Sequence, residues 1–330
     1  MKGQKSSGEK YSDDVLNLKI SLKIINMLAK IRLRYKYLIN KIRRTPRYLL
    51  TKRVVSFLQN ASEDTPPIGL EREPLLEYLR HHVIEFCNYR SLMLKYHYRR
   101  IKVHYDRETG LRYVITDENR RLYFKRDMTT TRIRSSYNYL CLEQDEQSPH
   151  NYCFHELSIN SDTVFADVGA AEGNFTLKFI DKIKTAYLFE GDNDWMEALH
   201  ATFRPWKEKV HIIGKYVSDR DNEEFVSLDH FFHNRENPTL IKLDVEGAES
   251  KVLKGADKLL DEGINHVLVC TYHQSGDEQN LSEQLQKKKY KTVPSPGYLL
   301  MTDRSNYSPD GDFEFRRGLI HAAKESVRKV

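Results

Sequence analysis

TVFADVGAAEGNF, residues 163–175, sets a mostly apolar run directly before a glycine-bearing turn and the first residues of a helical pattern. That order predicts a buried strand over 163–168 handing the chain to a helix through a tight turn. The turn lacks the Gly-x-Gly-x-x-Gly spacing of a dinucleotide loop, whose second glycine admits a pyrophosphate. It reads Gly169-Ala170-Ala171-Glu172-Gly173 and is flanked by two acids, Asp167 and Glu172. Gly169 allows a sharp turn and a close ligand, and Gly173 lets a helix start pack tightly. The acids repel a phosphate and attract a cation, so an aminoacyl or sulfonium group suits this loop better than a nucleotide phosphate.

Outward from this stretch the alternation repeats. Candidate strands are TAYLFE (185–190), VHIIGKYV (210–217), TLIKLDV (239–245) and HVLVCTY (266–272), with helical runs over 174–182, 195–206 and 249–260. Repeated strand and helix predict a mostly parallel sheet covered on both faces. Ligands in such sheets bind beyond the C-terminal strand ends. The second strand ends in Glu190-Gly191-Asp192, and an acid at Glu190 suits the two hydroxyls of an adenosine ribose. Ser218, one residue past the third strand, joins the same cofactor set. The fourth strand runs into Asp244-Val245-Glu246-Gly247-Ala248-Glu249, three acids where helix capping needs one. His273, past the fifth strand, faces the same crevice as Asp244 and is the leading proton acceptor, with Asp244 or Glu246 orienting it or the substrate. The plainer reading of His273 is a solvated loop histidine.

The remaining sequence bounds the partners. Net charge is +6, yet twelve Lys or Arg and no acid fall between Lys19 and Val55, so the rest of the chain is net acidic. Apolar residues at helical spacing from Leu18 to Ile42 make this segment an amphipathic basic helix that Pro46 is expected to terminate. It suits an anionic membrane surface through residues 19–55, or a covering role on the main domain. Nucleic acid is a lesser reading, since no aromatic–basic stacking pattern or zinc motif accompanies it. Residues 60–74 read as a polar, proline-bearing linker and 75–98 as a helix, with IKVHYD, LRYVITD and RLYFKRD as a small meander of strands. His81 and His82 are adjacent on that helix and face different ways. The domain reading is a basic arm over 1–60, an accessory region over 61–145 and the main domain over 146–330. Four scattered cysteines read as buried thiols of a reducing compartment. No secretory leader or spanning run is evident, which predicts a cytoplasmic chain, peripheral at most at the inner membrane face. No metal cluster shows in the spacing, so no metal is expected; Asp244, Glu246 and Glu249 are the set that could collect a divalent ion.

With these residues placed, 143–324 resembles the FkbM family of S-adenosylmethionine-dependent methyltransferases. Asp167-Val168-Gly169-Ala170 resembles the family's first motif. Ser227-Leu228-Asp229, followed by Ile241-Lys242-Leu243-Asp244-Val245-Glu246-Gly247-Ala248-Glu249 and Leu253-Lys254-Gly255-Ala256, resembles its most specific signature. The resemblance implies a class I methyltransferase fold, Rossmann-like, with a seven-stranded mainly parallel sheet whose last two strands come from 291–301 and 318–323. It also implies S-adenosyl-L-methionine as cofactor and methyl transfer to a hydroxyl, often on a sugar. Glu143-Gln144-Asp145 and Ser148-Pro149-His150 resemble glycan-modifying bacterial members, which points to a glycan or glycolipid acceptor. Two departures stand out. Ala171-Glu172 replaces the Asn common after Gly-Ala, and Gly191 stands where Pro is common after the second-strand acid. Amine methylation is disfavoured, because no Asn/Asp-Pro-Pro-aromatic tetrapeptide follows the fourth strand. The competing classes are an RNA methyltransferase that uses the basic arm and a membrane-associated scaffold without activity.

Overall fold

The computed structural model describes residues 45–63, 65–66, 71–84, 95–302 and 311–324. The basic run from Lys19 to Arg44 lies outside them. Of the helix read over 75–98, residues 85–94 also lie outside them; the described part is helical over Arg72–His81, with His82 as its cap, and is not helical at 83–84.

Five strands follow the alternation in the sequence: β4 (Val164–Val168), β5 (Thr185–Phe189), β6 (Val210–Ile213), β9 (Leu240–Leu243) and β10 (His266–Cys270). With β11 (Tyr290–Pro294) and β14 (Leu319–Lys324) they form one sheet in the order β11-β14-β10-β9-β4-β5-β6. β4, β5, β6, β9 and β10 are parallel, and β14 runs antiparallel between β10 and β11. This is the seven-stranded class I methyltransferase arrangement. Its direction switches at β4, which has β5 on one side and β9 on the other, so a crevice opens where the C-terminal ends of β4 and β9 meet.

Side-chain alternation assigns the two faces. Phe165, Leu188, Leu240, Leu268 and Cys270 enter one core cluster, and Ala166, Val168, Ile241, Leu243, Val267 and Val269 the other. Every residue of β4 and β9 is buried, as expected for strands covered on both sides. Asp167 and Lys242 are cross-strand partners in that buried pair.

Several boundaries differ from the sequence reading, each for a local reason. VHIIGKYV is broken at Gly214, where Lys215 N–H bonds back to Ile213 O at 2.9 Å, leaving β7 (Tyr216–Val217) to pair with β8 (Phe225–Val226). The helical run 249–260 becomes α7 (Glu249–Lys254) and α8 (Asp257–Glu262). The Asp229 carboxylate accepts from Lys258 and Leu259 N–H at 3.0 Å each, supplying a second helix start with its caps. Ser227, of the same Ser-Leu-Asp motif, caps α6 (Leu228–Phe232) by accepting from His230 N–H. Residues 291–301 are two strands, because the chain turns at Ser295-Pro296-Gly297. β11 joins the main sheet, and β12 (Leu299–Thr302) pairs with β13 (Phe313–Arg316) as a separate hairpin.

Pro46 opens a helix, and the helix it is expected to terminate lies outside the described residues. Pro46 sits at the first turn of α1 (Pro46–Asn60), where its missing N–H costs nothing, with Thr45 as the cap. α1 and α2 (Arg72–His81) bury Leu50, Val54, Leu58, Leu75 and Leu79 against Tyr298, Leu300 and Phe315 of the hairpin region. The meander forms as β1 (His104–Tyr105), β2 (Arg112–Ile115) and β3 (Arg121–Tyr123). It docks on α5 (Met196–Phe203), where Thr202 Oγ1 accepts from Tyr123 N–H at 3.1 Å. α3 (Thr130–Glu143), α4 (Asn174–Phe179) and α9 (Asp277–Lys287) complete the helices used below. Cys270 is buried, while Cys141 and Cys153 are only half-buried, so the expectation of uniformly buried thiols does not hold.

Candidate functional site

The first turn is built so that the ends of β4 and β9 touch. Gly169 has φ +77°, and a Cβ there would lie 1.9 Å from the Asp244 carbonyl oxygen. Only glycine permits that approach. Gly173, at φ +79°, starts α4. The turn is secured from behind. Asp167 accepts from Thr176 Oγ1 at 2.6 Å and from Lys242 Nζ at 2.9 Å, and Lys242 also donates to Gly169 O at 2.9 Å. Asp167 therefore holds the loop through protein contacts, and it also lines the cavity beside the turn. Glu190 does similar work from β5, accepting from Ala171 N–H and Asp192 N–H at 2.8 Å each. The Asp192 carboxylate pairs with Lys125. Gly191 lies beneath the Tyr216 ring, whose carbons a Cβ would meet at 2.3 Å. Ser218 stands apart from the crevice: its Oγ donates to Asp219 at 3.2 Å and its N–H pairs with Val226.

Around Gly169, Ala170 and Glu172 lies a cavity of about 110 Å³, also lined by Glu143, His150, Tyr152, Lys242 and Asp244. Its electrostatics are unusual. Burial, with the Asp244, Glu172 and Glu246 carboxylates, pushes Glu143 up to about 8. Burial also pushes Glu172 up to about 7, against the pull of Lys242. Asp244 is the opposite case, since Lys242, His150 and His273 overcome its burial and hold it below the usual carboxylate range. Its Oδ2 accepts from Tyr152 OH at 2.6 Å. Buried His150 is pulled down to about 4 by desolvation and is neutral at ordinary pH. The cavity thus carries more acid than its one lysine balances, which is the environment a cationic ligand relieves.

On the other side of Asp244 lies a cleft of about 800 Å³, lined by Glu246, His273, Met301, Thr302, Asp312 and Arg316 among others. His273 stands on the cleft wall and approaches Asp244, which lines the cavity. Its side chain is 3% exposed, with Nε2 3.5 Å from Asp244 Oδ1 and 3.8 Å from Glu246 Oε2, and Nδ1 2.8 Å from Glu249 Oε1. Burial lowers its pKa, but Glu249, Asp244 and Glu246 outweigh this and raise it above 6.5. Arg316 donates to the carbonyls of Tyr272 and His273 at 2.8 and 3.0 Å and fixes this strand end. Glu246 is exposed and has φ +53°, a left-handed backbone uncommon outside glycine and often found at working sites. Asp244, Glu246 and His273, named from sequence as the catalytic set, are therefore gathered in space. Glu143 and Tyr152 were missed as site residues, although both lie in or beside the upstream segments that carried the subgroup resemblance.

The chain is similar to known proteins over parts of its length. Methyltransferase sdnD of Sordaria araneosa is 37% identical over 71 residues, covering 22% of this chain and 24% of that protein, so the chain spans about a quarter of that curated relative's length. The solved methyltransferase FkbM from Methylobacillus flagellatus KT is 16% identical, with 58% of this chain and 54% of that chain covered at a TM-score of 0.38. The solved M. capricolum TrmK, in complex with S-adenosyl-homocysteine, is 13% identical over 51% of this chain and 65% of its own, at a TM-score of 0.34. The fold assignment rests on the strand order above and not on these low scores. The family model described as Methyltransferase FkbM domain matches residues 144–301, a little under half of the chain, and that segment is what the chain shares with the FkbM methyltransferases.

Proposed function

We propose that the chain moves a methyl group from S-adenosylmethionine to a hydroxyl oxygen, the acceptor being a sugar of a surface glycan or of its lipid-linked precursor. One observation carries the reading: Asp244 and His273, 3.5 Å apart, stand between an acid-lined cavity and a large polar cleft. The acid side suits the donor. The methionine end of S-adenosylmethionine bears two positive centres, and Glu143, Glu172 and Asp244 offer the charge to hold it. Gly169 and Ala170 bring backbone to the same cavity, and Glu190 stiffens the loop. The cleft side, with Glu246, Asp312, Glu314 and Arg316, suits a hydroxyl-rich acceptor.

The donor supplies a methyl group on a cationic sulfur; as the carbon–oxygen bond forms, the carbon–sulfur bond breaks and its electron pair stays on sulfur. The residues of this chain align the acceptor hydroxyl, whose proton leaves through His273, Asp244 and Glu246. Alignment alone contributes several kcal/mol in such displacements. The test is transfer of labelled methyl from S-adenosylmethionine to cell extract, fractionated into lipid-linked glycan, RNA and protein. Label in the glycan fraction is expected, and label confined to RNA or protein would reject the acceptor class. His273→Ala should cut turnover about 100-fold while leaving cofactor affinity within about twofold, because His273 lines the cleft and not the donor cavity; unchanged turnover removes it from the reaction.

The basic segment 19–55 fits an enzyme working on lipid-linked acceptors at an anionic membrane face. Leu50 and Val54 belong to the α1 core, so the removable part ends at residue 44. The full chain should bind phosphatidylserine vesicles and the chain lacking residues 1–44 should not; equal binding by both would remove the arm from this role.

A further inference from the structure

The sequence reading expects Asp244 or Glu246 to orient His273, but both approach the wrong nitrogen. Asp244 Oδ1 and Glu246 Oε2 stand 3.5 and 3.8 Å from Nε2, the nitrogen on the side of Glu246 and the cleft. Nε2 completes no hydrogen bond, so no described group competes for its lone pair. Nδ1 meets a different acid, Glu249 Oε1, at 2.8 Å. Glu249 is 1% exposed and lines neither the donor cavity nor the cleft, so its carboxylate reaches His273 and not a ligand. The turn after β9 holds it there: Glu246 and Gly247 take left-handed backbone, and Val245 N–H donates to Glu249 Oε1 at 3.0 Å. Gln274 Nε2 donates to Gly247 O at 2.6 Å, tying the segment after β10 to the same turn. Glu249 Oε2 is buried without a partner. Such a carboxylate costs free energy unless a cation forms beside it, and the imidazolium of His273 is that cation.

We propose that Glu249 is a positioning residue for His273: it holds the ring from Nδ1, so that Nε2 takes the proton of the acceptor hydroxyl as the methyl group arrives. This role rests on the methyl-transfer reading, and it replaces Asp244 and Glu246 as the groups that orient the base. A lone pair of the hydroxyl oxygen bonds the methyl carbon and the carbon–sulfur pair stays on sulfur. The O–H pair stays on oxygen as the proton passes to Nε2. The imidazolium then stands 2.8 Å from a buried carboxylate, so the stabilisation grows as the proton moves and favours the transition state over the bound substrate. The approach at Nδ1 falls short of hydrogen-bond alignment, as contacts between a base and its orienting group often do before substrate binds. Glu246, 78% exposed and 3.8 Å from Nε2, offers the proton a way to solvent between turnovers.

The test reads the ring itself. NMR titration of the full chain with isotope-labelled histidine, without cofactor or acceptor, follows His273, assigned by the signal lost in His273→Ala. Neutral His273 should carry its proton on Nδ1. Glu249→Gln, which removes the charge but keeps an oxygen for Val245 N–H, should move the titration midpoint to lower pH. Asp244, Glu246, His150, Asp277 and Arg316, the other charged and titratable groups around His273, are the same in both chains. In the methyl-transfer assay the acid limb of the turnover profile should move the same way. Glu249→Ala should lower turnover about tenfold or more, with the KM for S-adenosylmethionine within about twofold of wild type. A neutral ring protonated on Nε2 in the wild-type chain, or a midpoint or acid limb that Glu249→Gln leaves in place, overturns the proposal. The two readings fail separately. Transfer with an unmoved midpoint sinks the role of Glu249 alone, and a shifted midpoint without transfer to any fraction sinks methyl transfer while the pair stands.

Discussion

Glu143 and Glu172 keep their protons near neutral pH because burial and neighbouring acids oppose their ionisation, and a cationic cofactor reverses that balance. Both pKa values are raised in the folded chain, to about 8 and about 7 from an ordinary 4.5. Their contribution to stability is therefore full below the ordinary carboxyl range and is lost as pH rises through the folded values. S-adenosylmethionine favours the ionised forms, so its affinity should rise between pH 6 and 8 with release of protons. Calorimetry in two buffers of different ionisation heat measures this release directly. Glu143→Gln should weaken binding and flatten the upper part of the profile; a pH-independent wild-type affinity would show that these acids do not meet the cofactor. At this scale the sequence was half legible. Acids at strand ends announce themselves by position, which is why Glu172, Asp244, Glu246 and His273 could be named. Which acids also engage the protein depends on Thr176, Lys242 and Lys125, brought up by other elements, so the internal partners of Asp167 and Asp192 were not legible in the sequence.

Between β4 and β9 the Asp167–Lys242 pair is the element-level device that makes the crevice. Both side chains are nearly inaccessible, and they meet at 2.9 Å across adjacent parallel strands. A buried ion pair adds little net stability, but losing one partner leaves a charge stranded. Lys242→Ala should cost roughly 3–5 kcal/mol in urea unfolding, and it also removes the donor to Gly169 O. Combining Lys242→Met with Asp167→Leu should recover most of that stability while loosening the cofactor turn. A cost below about 1 kcal/mol for Lys242→Ala would mean that the pair is solvated. Strands such as these were readable because a doubly covered strand is a short apolar run with few alternatives. A lysine inside such a run was the visible signal of the pair. Breaks were less readable, since the second start at α8 depends on the Asp229 carboxylate, which arrives from α6.

Across the whole molecule, the wall of the large cleft is held by residues more than two hundred positions away. β12 and β13 give Met301, Thr302, Phe313, Glu314 and Arg316 to the cleft, while Leu300 and Phe315 turn into the core made by α1 and α2. Glu71, just before α2, fastens the two parts. Its Oε1 accepts from Gly297 N–H at 2.6 Å and from Arg317 Nη1 at 2.8 Å. Nothing in a single sequence reveals such a contact, which explains why the N-terminal segments could be read as arm and linker but not as support for the site. Hydrogen bonds to a charged group contribute about 1.5–3 kcal/mol, so Glu71→Ala should speed local opening of the hairpin by about tenfold or more. Hydrogen exchange would show this at the amides of Leu299–Thr302 and Phe313–Arg316. Amides of β4 and β9 should keep their protection, and S-adenosylmethionine should bind as before, because the donor cavity draws no residue from the hairpin. Hairpin amides that exchange at the wild-type rate would show that the cleft wall stands without the N-terminal helices, and the acceptor side would then belong to the methyltransferase domain alone.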